Sequence, residues 1–342
     1  MERYLQDALD SVAAQSYPYF EVVLVDDCSD DDSKKMCREY CLSDSRFRLI
    51  AHEVNQGVSA ARNSGMAEAN GDYVLFMDPD DTWQDDLLEK VEASLLANPV
   101  DYLVFGFSEQ YYKADMEFDH ESKINIVTEE KNITDATELH KITMKLEAAT
   151  MLGYPWNKVY RRELLHEYYV SFPEGQSFGE DIMFNADFLD HVATMTILPD
   201  YLYNYRNFVK KRLTSGVVDD YFELQKKRVA RLYDQQSKWH TLDDEGLEIL
   251  ARIYFRSFQS MIIRCLEARM STSEIRDKCK AEEKNVLFKI LAEHLPEGGT
   301  SVKLLYRPIA EKKFVKAIHR GRQILFFKKH FGSNYNKYKR AR

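Results

Sequence analysis

Leu5, Ala8, Leu9 and Val12 recur at spacings of three and four, so the chain opens on an amphipathic helix over residues 4–15. The period then changes. Phe20, Val22, Val23, Leu24 and Val25 make a short apolar, β-branched run ending in Asp26-Asp27, the pattern of a buried strand. Ser33 to Leu42 predicts a helix, Phe47 to Ala51 a strand, Ser59 to Glu68 a helix, and Tyr73 to Met77 a second buried strand that again runs into acids. A helix follows Trp83 to about Leu96, then a strand from Tyr102 to Phe107. Strands and helices alternating at these intervals predict an α/β sheet with helices on both faces, whose sites gather at the carboxyl ends of strands. Here those ends carry carboxylates.

The polar stretch Glu109 to Glu130 has little periodicity and predicts a hairpin or loop. Order returns at Trp156 with a helical turn through Arg161 and Leu165, a loop holding Pro173 and Gly175, a helix from about Asp181 and a strand over Tyr201 to Tyr205. Beyond Asn207 strand signals vanish. Leu247, Leu250, Tyr254, Phe258, Met261 and Ile262 fall on one helical face, so residues 219–298 predict a helical bundle or arm. The expected organisation is a sheet domain over 1–210, a mostly helical region over 211–300 and a basic tail over 301–342.

Charge sharpens that division. The net charge of −9 over 342 residues conceals a tail, Lys303 to Arg342, with thirteen basic residues against Glu311 alone; its +12 leaves −21 for the rest. Five cysteines without paired C-x-x-C spacing read as reduced and structural. No run approaches 18 apolar residues and Met1-Glu2-Arg3-Tyr4 lacks a signal peptide's apolar core, so the expected location is cytoplasmic.

Three acidic motifs carry the candidate chemistry. Asp78-Pro79-Asp80-Asp81 follows a strand, where carboxylates can hold Mg²⁺ or Mn²⁺ together with phosphate oxygens; it reads also as an acidic turn capping the helix near Trp83. Asp26-Asp27-Cys28-Ser29-Asp30 offers acceptors to a base or ribose, or caps the helix over 33–42. Gly179-Glu180-Asp181 precedes Ile182, Met183 and Phe184; its carboxylates suit a general base, or simply favour the positive end of a helix. Between the first two lies Asn55-Gln56-Gly57 with Ala61-Arg62-Asn63, where Arg62 faces a donor's base or phosphate or makes a surface ion pair. Taken together, the motifs favour a site.

Read in order, these motifs resemble the family 2 glycosyltransferases of the GT-A fold. Leu9-Asp10-Ser11-Val12, Gln15-Ser16-Tyr17, the strand into Asp26-Asp27, Asn55-Gln56-Gly57 with Ala61-Arg62-Asn63, and Asp78-Pro79-Asp80-Asp81 match its first half. Trp156-Asn157-Lys158, Phe172-Pro173-Glu174-Gly175, Phe178-Gly179-Glu180-Asp181 and Leu202-Tyr203-Asn204-Tyr205-Arg206 match its second. The resemblance covers residues 1–207. It implies inverting transfer from a nucleotide diphosphate sugar, UDP-linked by expectation, to a saccharide or lipid-linked saccharide in bacterial surface polysaccharide or glycoconjugate synthesis. By position, Asp26 or Asp27 contacts the donor base, Arg62 the donor, Asp78 the ribose and Asp80 the metal. Asp181 is the base with Glu180 beside it, and Trp156, Asn157 and Lys158 shape the acceptor side or pack beneath it.

Three departures stand out. The family starts with a strand of the type V-S-V-I-I-P-x-Y-N, and this sequence begins just after it, so the expected domain lacks that strand; a catalytically inactive relative or gene fragment is the alternative reading. Cys28 replaces a usual glycine, so a positive φ there would be strained. No Q-x-x-R-W follows Asp181, which argues against a processive synthase. In the tail, Lys312, Lys313, Lys316, Arg320, Arg322, Lys328 and Lys329 surround Phe314, Ile318, Ile324, Leu325, Phe326 and Phe327, which suits an anionic membrane face or a solvated helix closing the bundle. No nucleic-acid recognition signature accompanies the charge.

Overall fold

The structure, a computed structural model, describes residues 1–175, 179–208 and 221–330. Phe178, the expected boundary near residue 210 and tail residues 331–342 lie outside the described residues. The chain divides into two compact units, Met1–Lys211 and Arg212–Arg342.

In the first unit, α1 (Glu2–Ala13) buries Leu5, Leu9 and Val12 on one stripe. That stripe packs with Cys37 and Phe47. β1 (Val22–Asp26) leads through α2 (Ser33–Ser43) to β2 (Phe47–Ala51), and the two strands pair in parallel with Asp26 opposite Ala51. α3 (Val58–Glu68) starts on Gly57, whose φ of 90° needs a residue without Cβ. There follow β3 (Tyr73–Leu75), β4 (Thr82–Trp83), α4 (Leu87–Ala97), β5 (Tyr102–Tyr112), β6 (Phe118–Ile124), β7 (Lys131–Ile133), α5 (Ala136–Ala148), β8 (Lys158–Arg161), α6 (Arg162–Glu167), α7 (Glu180–Leu189) and β9 (Met195–Asn207).

These later strands form a seven-stranded sheet ordered β3-β8-β5-β9-β4, with β6 added to β5 and β7 to β9. β5 and β9 run parallel from the Tyr102 and Met195 pair to the Tyr111 and Asn207 pair. Tyr102, Leu103, Val104 and Phe105 are all fully buried. That explains why β5 begins as a continuous apolar run rather than an alternating one.

The structure revises the sequence reading at several points. Residues 158–161 form a strand, not the start of a helical turn, because β8 is antiparallel to both β3 and β5 and their ladders outweigh local preference. The stretch after Glu109 is a hairpin in which β5 continues and pairs with β6. α5 was not anticipated, although Asp135 caps it by accepting from the Glu138 amide. β1 and β3 also lie in different sheets, so their acidic ends are not joined by one parallel ladder.

The second unit comprises α8 (Tyr221–Lys238), α9 (Asp244–Glu267), α10 (Thr272–Glu282), α11 (Val286–Glu293), a π-helical turn at Val302–Tyr306, α12 (Arg307–Ala310) and α13 (Phe314–His330). α9 is its axis: Leu250, Tyr254, Phe255, Phe258 and Ile262 are fully buried. Helix starts are capped by Asp243, by the reciprocal Ser271 and Glu274 box, and by Asn285. A Cβ on Gly321 of α13 would lie 2.9 Å from Leu266 Cδ1 and 3.3 Å from Ile262 Cγ2, so glycine sets the close approach to α9. Among the described residues no helix is long and apolar enough to cross a membrane.

Candidate active site

Arg62 ties three distant motifs together. Projecting from α3, it donates from Nη2 to Asp78 Oδ1 at 2.9 Å, just after β3, and from Nη1 to Asp181 Oδ1 at 2.5 Å, in the first turn of α7. Its guanidinium also lies 5.2 Å from the Phe172 ring centroid. Burial alone would lower the Arg62 pKa, but Asp78 and Asp181, with Glu180 nearby, hold it above its ordinary value. Burial lifts Asp181 to about 7; Arg62 opposes the rise, and Glu180 and Asp78 add to it. The Asp181 side chain keeps 26% of its surface exposed, enough for a hydroxyl to reach it.

The loop after β3 is held from beneath. Asp81 is 1% exposed and its carboxylate accepts from the Tyr203 hydroxyl at 2.8 Å and the Arg206 amide at 2.7 Å. Arg206 Nε donates to the Asp80 carbonyl at 2.7 Å. Burial, then the charges of Asp78 and Asp80, push the Asp81 pKa well above the usual carboxylate range. This crowding fits a divalent cation, which needs one or two protein carboxylates when a substrate's phosphates supply further oxygens. Asp78 and Asp80 are the half-buried members. Among the described residues no group of three His, Cys, Asp or Glu side chains would hold an ion unaided.

Asp27 and Asp26 serve different neighbours. Asp27 accepts from the Gln56 amide at 2.9 Å, the Gly57 amide at 2.7 Å and His52 Nδ1 at 2.7 Å, while His52 Nε2 meets Ser64 Oγ at 2.9 Å. That chain joins the ends of β1 and β2 to α3, the helix carrying Arg62. Against the cost of burial, these hydrogen bonds hold the Asp27 carboxyl below its ordinary pKa. Asp26 is 5% exposed, its two carboxylate oxygens have no hydrogen bond among the described residues, and Lys34 Nζ stands 3.8 Å away. Cys28 has φ 60°, the left-handed conformation the glycine-like position called for.

On the remaining side, Trp156, Asn157 and Lys158 are sealed at 2%, 0% and 0% exposure. The geometry therefore unites Arg62, Asp78, Asp80, Glu180 and Asp181, with Asp26 and Asp27 at the end of β1 and the Trp156 group inside the core. Sequence reasoning gave no role to Tyr203, Arg206 or His52. The Leu202 to Arg206 motif was visible, but its contacts to Asp81 depend on the pairing of β4 with β9.

Known proteins resemble this chain in sequence and in fold. The family model described as glycosyl transferase family 2 matches residues 2–169. The uncharacterized glycosyltransferase EpsJ of Bacillus subtilis (strain 168) is 28% identical over 206 residues, which is 60% of this chain and 58% of EpsJ. The Escherichia coli UDP-Glc:alpha-D-GlcNAc-diphosphoundecaprenol beta-1,3-glucosyltransferase WfgD is 31% identical over 102 residues, 30% of this chain and 40% of its own. The chain thus matches less than two thirds of the length of either relative. S. aureus TarS 1-349, solved in complex with UDP-GlcNAc, aligns with TM-score 0.60 and 20% identity over 94% of this chain and 87% of that chain, a likeness of fold. The expected GT-A type sheet followed by a helical region is thereby found.

Proposed function

The chain belongs to glycosyl transferase family 2 through residues 2–169, and from that premise we propose that it transfers a sugar from a nucleotide diphosphate sugar, of the UDP class, to an acceptor hydroxyl with inversion. One observation carries this reading: Arg62 draws Asp78 and Asp181, which are 103 residues apart in the numbering, into one charged cluster. A strand-end acid and a helix-start acid sharing one guanidinium suit a site that places a donor against a base.

In the proposed reaction Asp181 accepts the proton of the acceptor hydroxyl. The freed oxygen attacks the anomeric carbon from the face opposite the diphosphate, and the carbon–oxygen bond to the nucleotide breaks, its electron pair leaving with the diphosphate. A carboxyl at about 7 is matched to this task, since it is ionised in half the molecules at neutral pH yet basic enough to accept a proton. Glu180 reinforces that basicity. Arg62 and Asp78 hold the donor's diphosphate and ribose side, and Asp26 and Asp27 mark the side of its base. Asp80 would hold Mn²⁺ or Mg²⁺, which when bound neutralises charge on the departing diphosphate.

WfgD, whose name gives it a UDP-sugar donor and a diphosphoundecaprenol-linked acceptor, and TarS, solved with UDP-GlcNAc, support a saccharide or lipid-linked acceptor and a setting in surface polysaccharide or glycoconjugate synthesis. The exposed Val315, Phe326 and Phe327 of α13 suit attachment at the anionic inner face of a membrane. They lie among Lys316, Lys328 and Lys329.

The deciding measurement is thermal unfolding with and without UDP plus Mn²⁺, because a ligand that binds only the folded state must stabilise it. A rise in Tm that vanishes in Asp80→Ala supports the reading. A cooperative transition that nucleotides leave unmoved sinks it.

A further inference from the structure

A ladder of aromatic rings stands beside the site. Tyr154 stacks on Trp156 at 4.5 Å between centroids, and Trp156 stacks on Tyr203 at 4.3 Å and on Tyr205 at 5.4 Å, with interplanar angles of 19°, 12° and 17°. The middle of the ladder is closed, with Trp156 at 2% and Tyr203 at 0% exposure. Tyr154 and Tyr205 stay half-buried, 5.9 Å apart, and form its accessible edge.

The ladder is tied to the reacting groups at Tyr203 and at Tyr154. The Tyr203 hydroxyl accepts from the Asp78 amide at 3.1 Å and donates to Asp81 Oδ2 at 2.8 Å. Asn185 Nδ2 donates to the Asp181 carbonyl at 2.9 Å and to the Tyr154 carbonyl at 3.4 Å, so a single amide separates Tyr154 from the backbone of the proposed base.

A buried cation holds this edge in place. Lys158 Nζ donates to the Met151 carbonyl and Asn157 Oδ1, each at 2.6 Å, and to the Tyr154 carbonyl. An ammonium with no exposure is costly unless its protons are all matched, and here three oxygens match them. Burial pushes its pKa well below the usual lysine value. What the arrangement yields is a loop whose carbonyls are pinned inward and whose Tyr154 ring is fixed against Trp156.

We infer that Tyr154 and Tyr205 form the platform on which a sugar ring of the acceptor stacks, braced from below by Trp156, Asn157 and Lys158. The inference rests on the transferase reading and specifies its acceptor side. A pyranose presents a face of C–H bonds that packs on aromatic rings, while its rim of hydroxyls needs polar partners; tyrosine supplies both. The residues picked from the sequence for the acceptor side are thus the foundation, and the contact surface is their neighbours.

The test uses the full chain and a panel of methyl glycosides of glucose, galactose and N-acetylglucosamine. Binding is followed by saturation-transfer NMR with and without UDP and Mn²⁺, and the nucleotide-induced Tm shift is recorded on the same samples. Tyr154→Ala and Tyr205→Ala should each weaken glycoside binding roughly two- to tenfold, the worth of one aromatic contact. The nucleotide shift should stay unchanged, and Tyr154→Phe should keep most of the binding. Glycoside binding undiminished in both alanine variants, absent from the parent chain, or lost in proportion to the nucleotide shift overturns the platform. A parent chain that binds glycosides but shows no nucleotide shift removes the transferase reading and leaves the platform to be decided by the variants.

Discussion

The two units of this chain treat polar groups in opposite ways. In the helical unit Asp243, Ser271 with Glu274, and Asn285 each cap the helix they start. Its axis is the buried aromatic cluster of Tyr254, Phe255 and Phe258, in which the Tyr254 hydroxyl donates to Glu282 at 2.7 Å. Buried Gln259, whose amide has no hydrogen-bond partner among the described residues, is an exception. In the sheet unit the departures cluster. Asp81 is a buried carboxyl crowded by two others, Asp181 is lifted to about 7, and Lys158 is a sealed cation. Charge is buried and crowded where a site pre-arranges it. The clustering is itself a signpost to function.

Three changes would break or sharpen this contrast. The largest effect is expected from Asp181→Asn, which should lower transfer roughly 10²- to 10⁴-fold while the UDP-induced Tm shift persists. In the parent chain transfer should climb with pH through a midpoint near 7, and that limb should be missing from the variant. The stability sign runs the other way: folding raises this carboxyl from 3.8, so what it contributes is present below its ordinary pKa and lost as pH rises through 7. Equal loss of transfer and nucleotide binding would mean that Asp181 merely holds Arg62.

Next, Gly321→Ala crowds Leu266 and Ile262 and should cost the helical unit about 1–3 kcal/mol, read by chemical denaturation, with the nucleotide shift unaffected. A parallel loss of nucleotide binding would refute the division of labour. The smallest change is a gain: Cys28→Gly should relieve left-handed strain and stabilise the sheet unit by about 1 kcal/mol. No gain would show that the contact of Cys28 Sγ with the Glu53 carbonyl offsets that strain.

Much of the arrangement was legible in the sequence because it was local. The α1 stripe, the β1 and β2 runs and the acids closing β1 and β3 follow from period and punctuation. Cys28, which stands where the resembled family usually has glycine, does take a positive φ. What escaped was non-local. Lys158–Arg161 becomes a strand only because β3 and β5 flank it. The Asp27, His52 and Ser64 chain needs three segments to meet, and no spacing along the sequence announces it. Trp156, Asn157 and Lys158 stood out as a motif, yet only the fold shows that they are buried while Tyr154 and Tyr205 are half-buried.

The long pairing of β5 with β9 also governs when this unit can take shape. Tyr102 meets Met195 across about ninety intervening residues, a span whose closure costs chain entropy before any ladder bond repays it. On a ribosome, β5 can pair with β6 and β8 first, but its parallel ladder waits until β9 has emerged, and Tyr203 cannot lock Asp81 before then. The sheet unit is therefore completed by one late encounter, and in the helical unit the seating of Gly321 of α13 against Ile262 and Leu266 of α9 also waits for the later segment.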